Sequence, residues 1–270
     1  MRLPKACQWV LIVVLTTIVT VAMAPLEEAF AGAGYGFGPR NYDNGAVYGQ
    51  GVYFAPNRTA VSAQPDENAQ LLQDISWQQS NGTSKVYSNI NNQPLKPDQT
   101  FFCFYPNLDV AMMAVVGDNG EGWVEVVYDQ QTKSTGWVKL WPEVTGKPTP
   151  GELPRLEQVS APPHFGHFYT WVDFMKHNAK AHGIYWLTGV SSYHRSIRMM
   201  DKDDSPLLET MAIRDLKVRH VRGNWMLVEV LDFARNTPIG WVRWRDSEGN
   251  LLVFPNITNT RSPIMVTGSF

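Results

Sequence analysis

Short stretches in which apolar and polar residues alternate recur along the chain, and two of them share one layout. In the first, Trp123 opens Val124-Glu125-Val126-Val127-Tyr128-Asp129, and after a polar turn Gly136-Trp137-Val138-Lys139 resumes the pattern. In the second, Trp225 stands ahead of Leu227-Val228-Glu229-Val230-Leu231-Asp232, and Gly240-Trp241-Val242-Arg243 follows the turn. The Trp-to-Gly spacing is 13 residues in one and 15 in the other. Apolar and β-branched residues around one acidic position predict a strand with one wet face. Asp129 to Thr135 and Asp232 to Pro238 suit hairpin turns. Each Trp brings a large apolar ring into a core or groove, and each Gly stands where a side chain would obstruct a tight corner. Two copies about a hundred residues apart predict two domains, not a solenoid. Upstream, Asn92-Gln93-Pro94-Leu95 aligns with Asp204-Ser205-Pro206-Leu207. Pro94 precedes Trp123 by 29 residues and Pro206 precedes Trp225 by 19, which predicts a longer loop around Pro97 to Pro106 in the first copy.

W-x-x-V-x-V, a variable turn and then G-W-V resembles the bacterial SH3-like (SH3b) domains of secreted and envelope proteins. Ser196-Ile197-Arg198-Met199 followed by Asp203-Asp204-Ser205-Pro206-Leu207-Leu208 is similar to that family's opening strand, Ser/Asp-rich loop and next strand. Arg198 matches the Arg of the family's L-N-V-R-x-G-P opening, but the Gly-Pro is missing; in the first copy Lys85-Val86-Tyr87-Ser88 takes the opening position. The resemblance covers 84–145 and 186–255. It implies a mainly β fold of two small SH3-like antiparallel barrels, to which the residues described below add a short helix before each and a flexible N-terminal lead-in. It also implies a cell-wall polymer (peptidoglycan) or a protein segment as ligand.

Arg2 and Lys5 precede an uncharged apolar run from Trp9 to Ala22, and small residues follow it, as in a secretory signal. Cleavage fits after Ala24 or after Ala31, so the protein is expected to be secreted or periplasmic, with no membrane span after cleavage. Gly32 to Asn57 is rich in Gly, Tyr and Asn, a composition costly to order, and reads as a flexible segment over 32–65. Asp66 is a helix cap with Leu71, Leu72 and Ile75 on one face, so the first SH3-like domain with its helix takes 66–145. Five prolines make 146–163 a semi-rigid linker. Thr170 as cap, Asp173 in a capping box and Gly183 as stop predict a second helix, whose Trp171, Phe174, Met175 and Ala179 form one apolar stripe. That helix opens the second SH3-like domain, 164–258, and 259–270 is a tail.

Composition then narrows the chemistry. With 23 Lys+Arg against 25 Asp+Glu, the chain lacks the basic surface that nucleic acid requires. Cys7 precedes the apolar run, which leaves Cys103 in Phe101-Phe102-Cys103-Phe104-Tyr105 as the one cysteine of the secreted chain. Four aromatic neighbours read as a buried strand thiol, not a nucleophile. The D-C-S-G, S-x-G-C and G-x-S-x-G nucleophile motifs are missing, so no catalytic residue and no cofactor is predicted and the chain is not expected to be an enzyme. Asp201, Asp203 and Asp204 lack the Gly and distal Glu of a calcium hand. His164, His167, His177 and His182 cluster without ligand-pair spacing, so no metal site is assigned. Ligand contact falls to the duplicated Trp123 with Trp137 and Trp225 with Trp241, to Tyr128, and to Trp141 and Trp244, expected partly exposed just past each G-W-V. Two alternatives stand beside cell-wall binding: an adaptor docking an envelope protein through the 170–182 helix, and a metal-handling protein using the His164–His182 cluster.

Overall fold

A computed structural model describes residues 36–43, 46–80, 83–141, 166–210, 216–230 and 239–257. The apolar run, both cleavage sites, the Pro-rich linker, His164 and the 259–270 tail lie outside the described residues. Among those described, no helix is long and apolar enough to cross a membrane. The fold is mainly β, in two antiparallel sheets.

The first sheet holds β1 (Gly51–Phe54), β2 (Arg58–Ser62), β3 (Leu71–Ser80), β4 (Thr83–Ser88), β5 (Gln93–Leu95), β6 (Cys103–Tyr105), β7 (Val110–Asp118), β8 (Trp123–Asp129), β9 (Ser134–Lys139) and β10 (His167–Thr170), with a one-turn helix α1 (Pro97–Thr100) between β5 and β6. Helix α2 (Trp171–His182) leads to the second sheet: β11 (Ile184–Trp186), β12 (Ser196–Arg198), β13 (Leu207–Thr210), β14 (Leu216–Arg222), β15 (Trp225–Val230), β16 (Ile239–Arg243) and β17 (Val253–Pro255). Strand order is β10-β1-β7-β8-β9-β2-β3 in one and β17-β11-β14-β15-β16-β12-β13 in the other, the same seven-strand path twice. In the first sheet β4 and β5 continue beyond β3, and β6 pairs with β7 off the path.

The registers repeat as well. Trp123 faces Lys139 and Val126 faces Gly136; Trp225 faces Arg243 and Val228 faces Gly240. A bulge interrupts the preceding ladder between Val115 and Gly117, and again between Val218 and His220. At the corner, β9 touches β2 through the single pair Ser62–Trp137, and β16 touches β12 through Arg198–Trp241. A Cβ at Gly136 would lie 2.5 Å from Val61 Cγ1 and 3.1 Å from Ser62 O, while one at Gly240 would lie 2.9 Å from Arg198 O and collide with Ile197. Both glycines are required by close backbone approach, as the sequence implied.

The eight-residue loops after β2 and β12 also share a hydrogen-bond pattern. Ala63 N donates to Gln70 O (2.9 Å), Asp66 N to Gln64 O (2.8 Å) and Ala69 N to Asp66 O (3.2 Å). Their counterparts are Met199 N to Pro206 O (3.0 Å), Lys202 N to Met200 O (2.9 Å) and Ser205 N to Lys202 O (3.2 Å).

Four expectations are corrected. Residues 71–75 are strand, not helix: Ile75 and Trp77 are both buried at a spacing of two, and pairing with β2 overrides the helical spacing of Leu71, Leu72 and Ile75. Pro206-Leu207-Leu208 therefore corresponds to Gln70-Leu71-Leu72, and the first copy opens at Ala60-Val61-Ser62, not at Lys85-Val86-Tyr87-Ser88, which lies in β4. The extra residues of the first copy are β4, β5, α1 and β6 together. The Gly/Tyr-rich segment is ordered where it is described. Phe37 bridges Phe104, and β1 lies between β7 and β10, so close that a Cβ on Gly51 would strike Tyr169 O. Finally, both sheets are open, with β5 and β10 ending one and β13 and β17 ending the other, so neither is a closed barrel. Helix α2 packs against both β10 and β17.

Alternation along β1 and β7 divides the molecule into two cores. Tyr53, Met113 and Val115 join Val124, Val126 and Val138 inside the first unit. Val52, Phe54 and Met112 face the other way, into a core shared with α2 and the second sheet. Phe54, Phe174 and Phe254 connect the layers, with ring centroids 6.3 and 5.8 Å apart. Thr170 Oγ1 accepts from Asp173 N (3.2 Å) at the start of α2, and Gly183 N donates to Ala179 O (3.0 Å) at its end. Trp171, Phe174, Met175 and Ala179 are buried, and Trp171 Nε1 donates to Tyr48 O (2.7 Å). The stripe proposed for an adaptor is thus covered by the molecule's own strands.

Candidate functional site

Because successive side chains on a strand point to opposite faces, the core positions Val124, Val126 and Val138 leave Trp123, Glu125, Trp137 and Lys139 on the other face. The second hairpin does the same, with Met226, Val228 and Val242 inside and Trp225, Leu227, Trp241 and Arg243 outside. The four duplicated tryptophans therefore line outer faces and not the cores.

In the second unit that face carries a shallow, open cleft lined by Tyr193, His194, Ser196, Arg198, Asp203, Trp225 and Arg243. Trp225 is buried under Arg243, whose guanidinium carbon lies 5.0 Å from the ring centroid. Arg198 is only 6% exposed; its guanidinium sits 5.0 Å from the Tyr193 ring centroid and donates to Ser205 O (2.9 Å). Among the described residues no carboxylate pairs with it. Asp203, on the loop after β12, pairs with Arg243. Ser205 Oγ accepts from Met200 N (2.9 Å), and Arg222 pairs with Asp201 at 3.2 Å, which holds the loop against the cleft. Among the described residues, two buried polar atoms of the lining, Arg243 Nε and His194 Nδ1, have no hydrogen-bond partner.

The first unit repeats part of this arrangement. Lys139 pairs with Glu67, at the strand and loop positions of Arg243 and Asp203. Ser62 stands where Arg198 does, which leaves that unit one cation short.

The predicted residues are distributed unevenly. Trp225 lines the cleft. Trp241 is half-buried and meets His220 edge-to-face at 6.4 Å. Trp123 and Trp137 are half-buried on the first unit's outer face, and Tyr128 packs against that unit's core. Trp141 is exposed, its ring lying against Gly166. Trp244 is a correction: it is fully buried, donates Nε1 to Gly223 O (2.7 Å), and corresponds to Leu140, not Trp141. The matching bonds are Leu140 N to Gly122 O and Trp244 N to Asn224 O. The arginines, Tyr193, His194, Ser196 and Asp203 were missed as site residues. A usable signal was the basic residue that ends G-W-V in both copies, opposite each Trp.

Cys103 is fully buried, and burial pushes its thiol well above the usual range, so it offers no thiolate. Among the described residues no group of three or more His, Cys, Asp and Glu is placed to hold a metal ion. His167 lies 3.1 Å from Tyr169 Oη through Nδ1, and His182 is buried against the shared core. A scan against protein-family models finds no match, and neither do the comparisons with curated proteins and with solved structures.

Proposed function

We propose that this chain is a secreted, non-catalytic protein of the cell envelope whose two SH3-like units hold a cell-wall polymer or an extended protein segment. The observation that carries this reading is the second unit's cleft, where two largely buried arginines lie against two aromatic rings. Guanidinium groups hold planar acceptors, and aromatic faces hold sugar rings and aliphatic chains without reacting with them. The duplicated seven-strand path, shared bulge and matched loops support two related units, and the W-x-x-V-x-V and G-W-V residues carry the likeness to SH3b domains. The apolar run before the folded body supports secretion. Retention on purified cell wall is the direct test: the protein should sediment with the wall, and Trp225→Ala should release it more than Trp123→Ala. Sedimentation no greater than that of an unrelated protein of similar charge would remove the cell-wall reading.

A further inference from the structure

The cleft contains a feature that a neutral polysaccharide would not require: a carboxylate of the chain itself already occupies its cation. Asp203 is half-exposed, whereas the side chain of its partner Arg243 is 15% exposed. The arginine belongs to the sheet and the aspartate to a loop, so Asp203 is the member of the pair that can leave. Arg243 Nε and His194 Nδ1 remain unpartnered in the same lining, and Arg198 adds a second cation that no described carboxylate neutralises. An unpartnered buried donor costs about 1–3 kcal/mol, more when charged, so the lining favours an arriving anion. One apolar surface is in the lining itself: Tyr193 is exposed there, and the loop that carries Asp203 begins with the exposed Met199 and Met200.

Resting on the binding reading above, we infer that this cleft takes the carboxylate of an extended, apolar-flanked peptide, and that Asp203 is its internal stand-in, displaced from Arg243 when the ligand binds. The ligand carboxylate bridges Arg243 and Arg198, and a flanking apolar group lies on Tyr193. A guanidinium–carboxylate pair supplies planar, two-pronged recognition that an amide cannot match. The first unit, with Ser62 in place of Arg198, does not share the site.

The probe is acetyl-Ala-Leu-Ala-Leu with a free carboxylate, and the same peptide as its amide, titrated into the 15N-labelled protein while the arginine Nε–Hε signals are followed. The free acid is expected to shift the Arg243 signal, and the amide to bind about tenfold more weakly or worse. Asp203→Asn should tighten the free acid several-fold with the melting temperature nearly unchanged, while Glu67→Gln leaves the affinity alone. Equal binding of acid and amide, no binding of either, or an Asp203→Asn variant no tighter than wild type would overturn the inference. Wall sedimentation separates the two claims. Wall retention with no carboxylate dependence sinks the inference and leaves the binding reading, whereas an Asp203-dependent carboxylate site without wall retention does the reverse.

Discussion

The two units share a backbone and differ in what they place on it. Both have the glycine corner, the bulge before the Trp strand and the eight-residue loop, because each is demanded by backbone contacts that a side-chain change would disrupt. The first unit adds β4, β5, α1 and β6, and closes its own core around Phe101, Phe104 and Trp77, with Phe101 and Phe104 stacked 5.2 Å apart. The second has no such insertion and draws on α2 and the first unit for its core, while its outer face gains Arg198 and Tyr193. The two units share the frame where sterics fix it and differ in the chemistry of the outer face.

Removing Trp171 is the most forceful way to break this comparison. Trp171→Ala should cost about 3–5 kcal/mol, as expected for truncating a fully buried Trp. In urea, followed by both fluorescence and circular dichroism, both units should lose stability together. Two separate transitions with only one displaced would show that the shared core does not couple them. Next come the corners: Gly136→Ala and Gly240→Ala should each destabilise by about 1–3 kcal/mol, since each new Cβ meets both a side chain and a backbone oxygen. A neutral result at either glycine would deny that the corners are equivalent.

Acid sharpens the contrast between the units. Hydrogen bonds from Arg58 hold the Asp74 carboxyl below its usual value of 3.8, against the opposing effect of burial. The folded state therefore binds this proton less readily than the unfolded chain. The stabilisation is complete above the unfolded value and disappears as the pH falls through the folded one. Wild type should lose more stability than Asp74→Asn between about pH 5 and pH 2 in denaturant titrations. The second unit has Thr210 at this position and adds nothing to that difference. The smallest effect belongs to Glu67→Gln. Its ion pair with Lys139 is exposed, so the melting shift should correspond to less than about 1 kcal/mol; a larger loss would mean that the loop depends on the pair.

Much of the local structure was readable in the chain. The W…G-W-V layout located both hairpins, and the Thr170, Asp173 and Gly183 signals located α2. The candidate site was only half readable. Trp225 was identified, but Trp244, expected partly exposed just past G-W-V, is fully buried, and its partner in the repeat is Leu140. The loops eluded comparison because Ala63-Gln64-Pro65-Asp66-Glu67-Asn68-Ala69-Gln70 and Met199-Met200-Asp201-Lys202-Asp203-Asp204-Ser205-Pro206 share no residue in register. Their common shape comes from backbone hydrogen bonds, which leave no side-chain signature. The Pro-Leu pair at 94–95 matches Pro206-Leu207 in residues but lies in β5, away from the equivalent loop end at Gln70-Leu71.

By itself, the order of residues determined which segments alternate, where they turn and where the helix begins and stops, because those depend on neighbours within a few positions. Only the tertiary structure decided that the glycine-rich lead-in supplies a central strand and that one helix serves two sheets. It also decided that the duplicated tryptophans face outward beside a cation. Such outcomes depend on which surfaces meet across more than a hundred residues of chain, as Trp171 meets Tyr48, and no local pattern encodes that meeting.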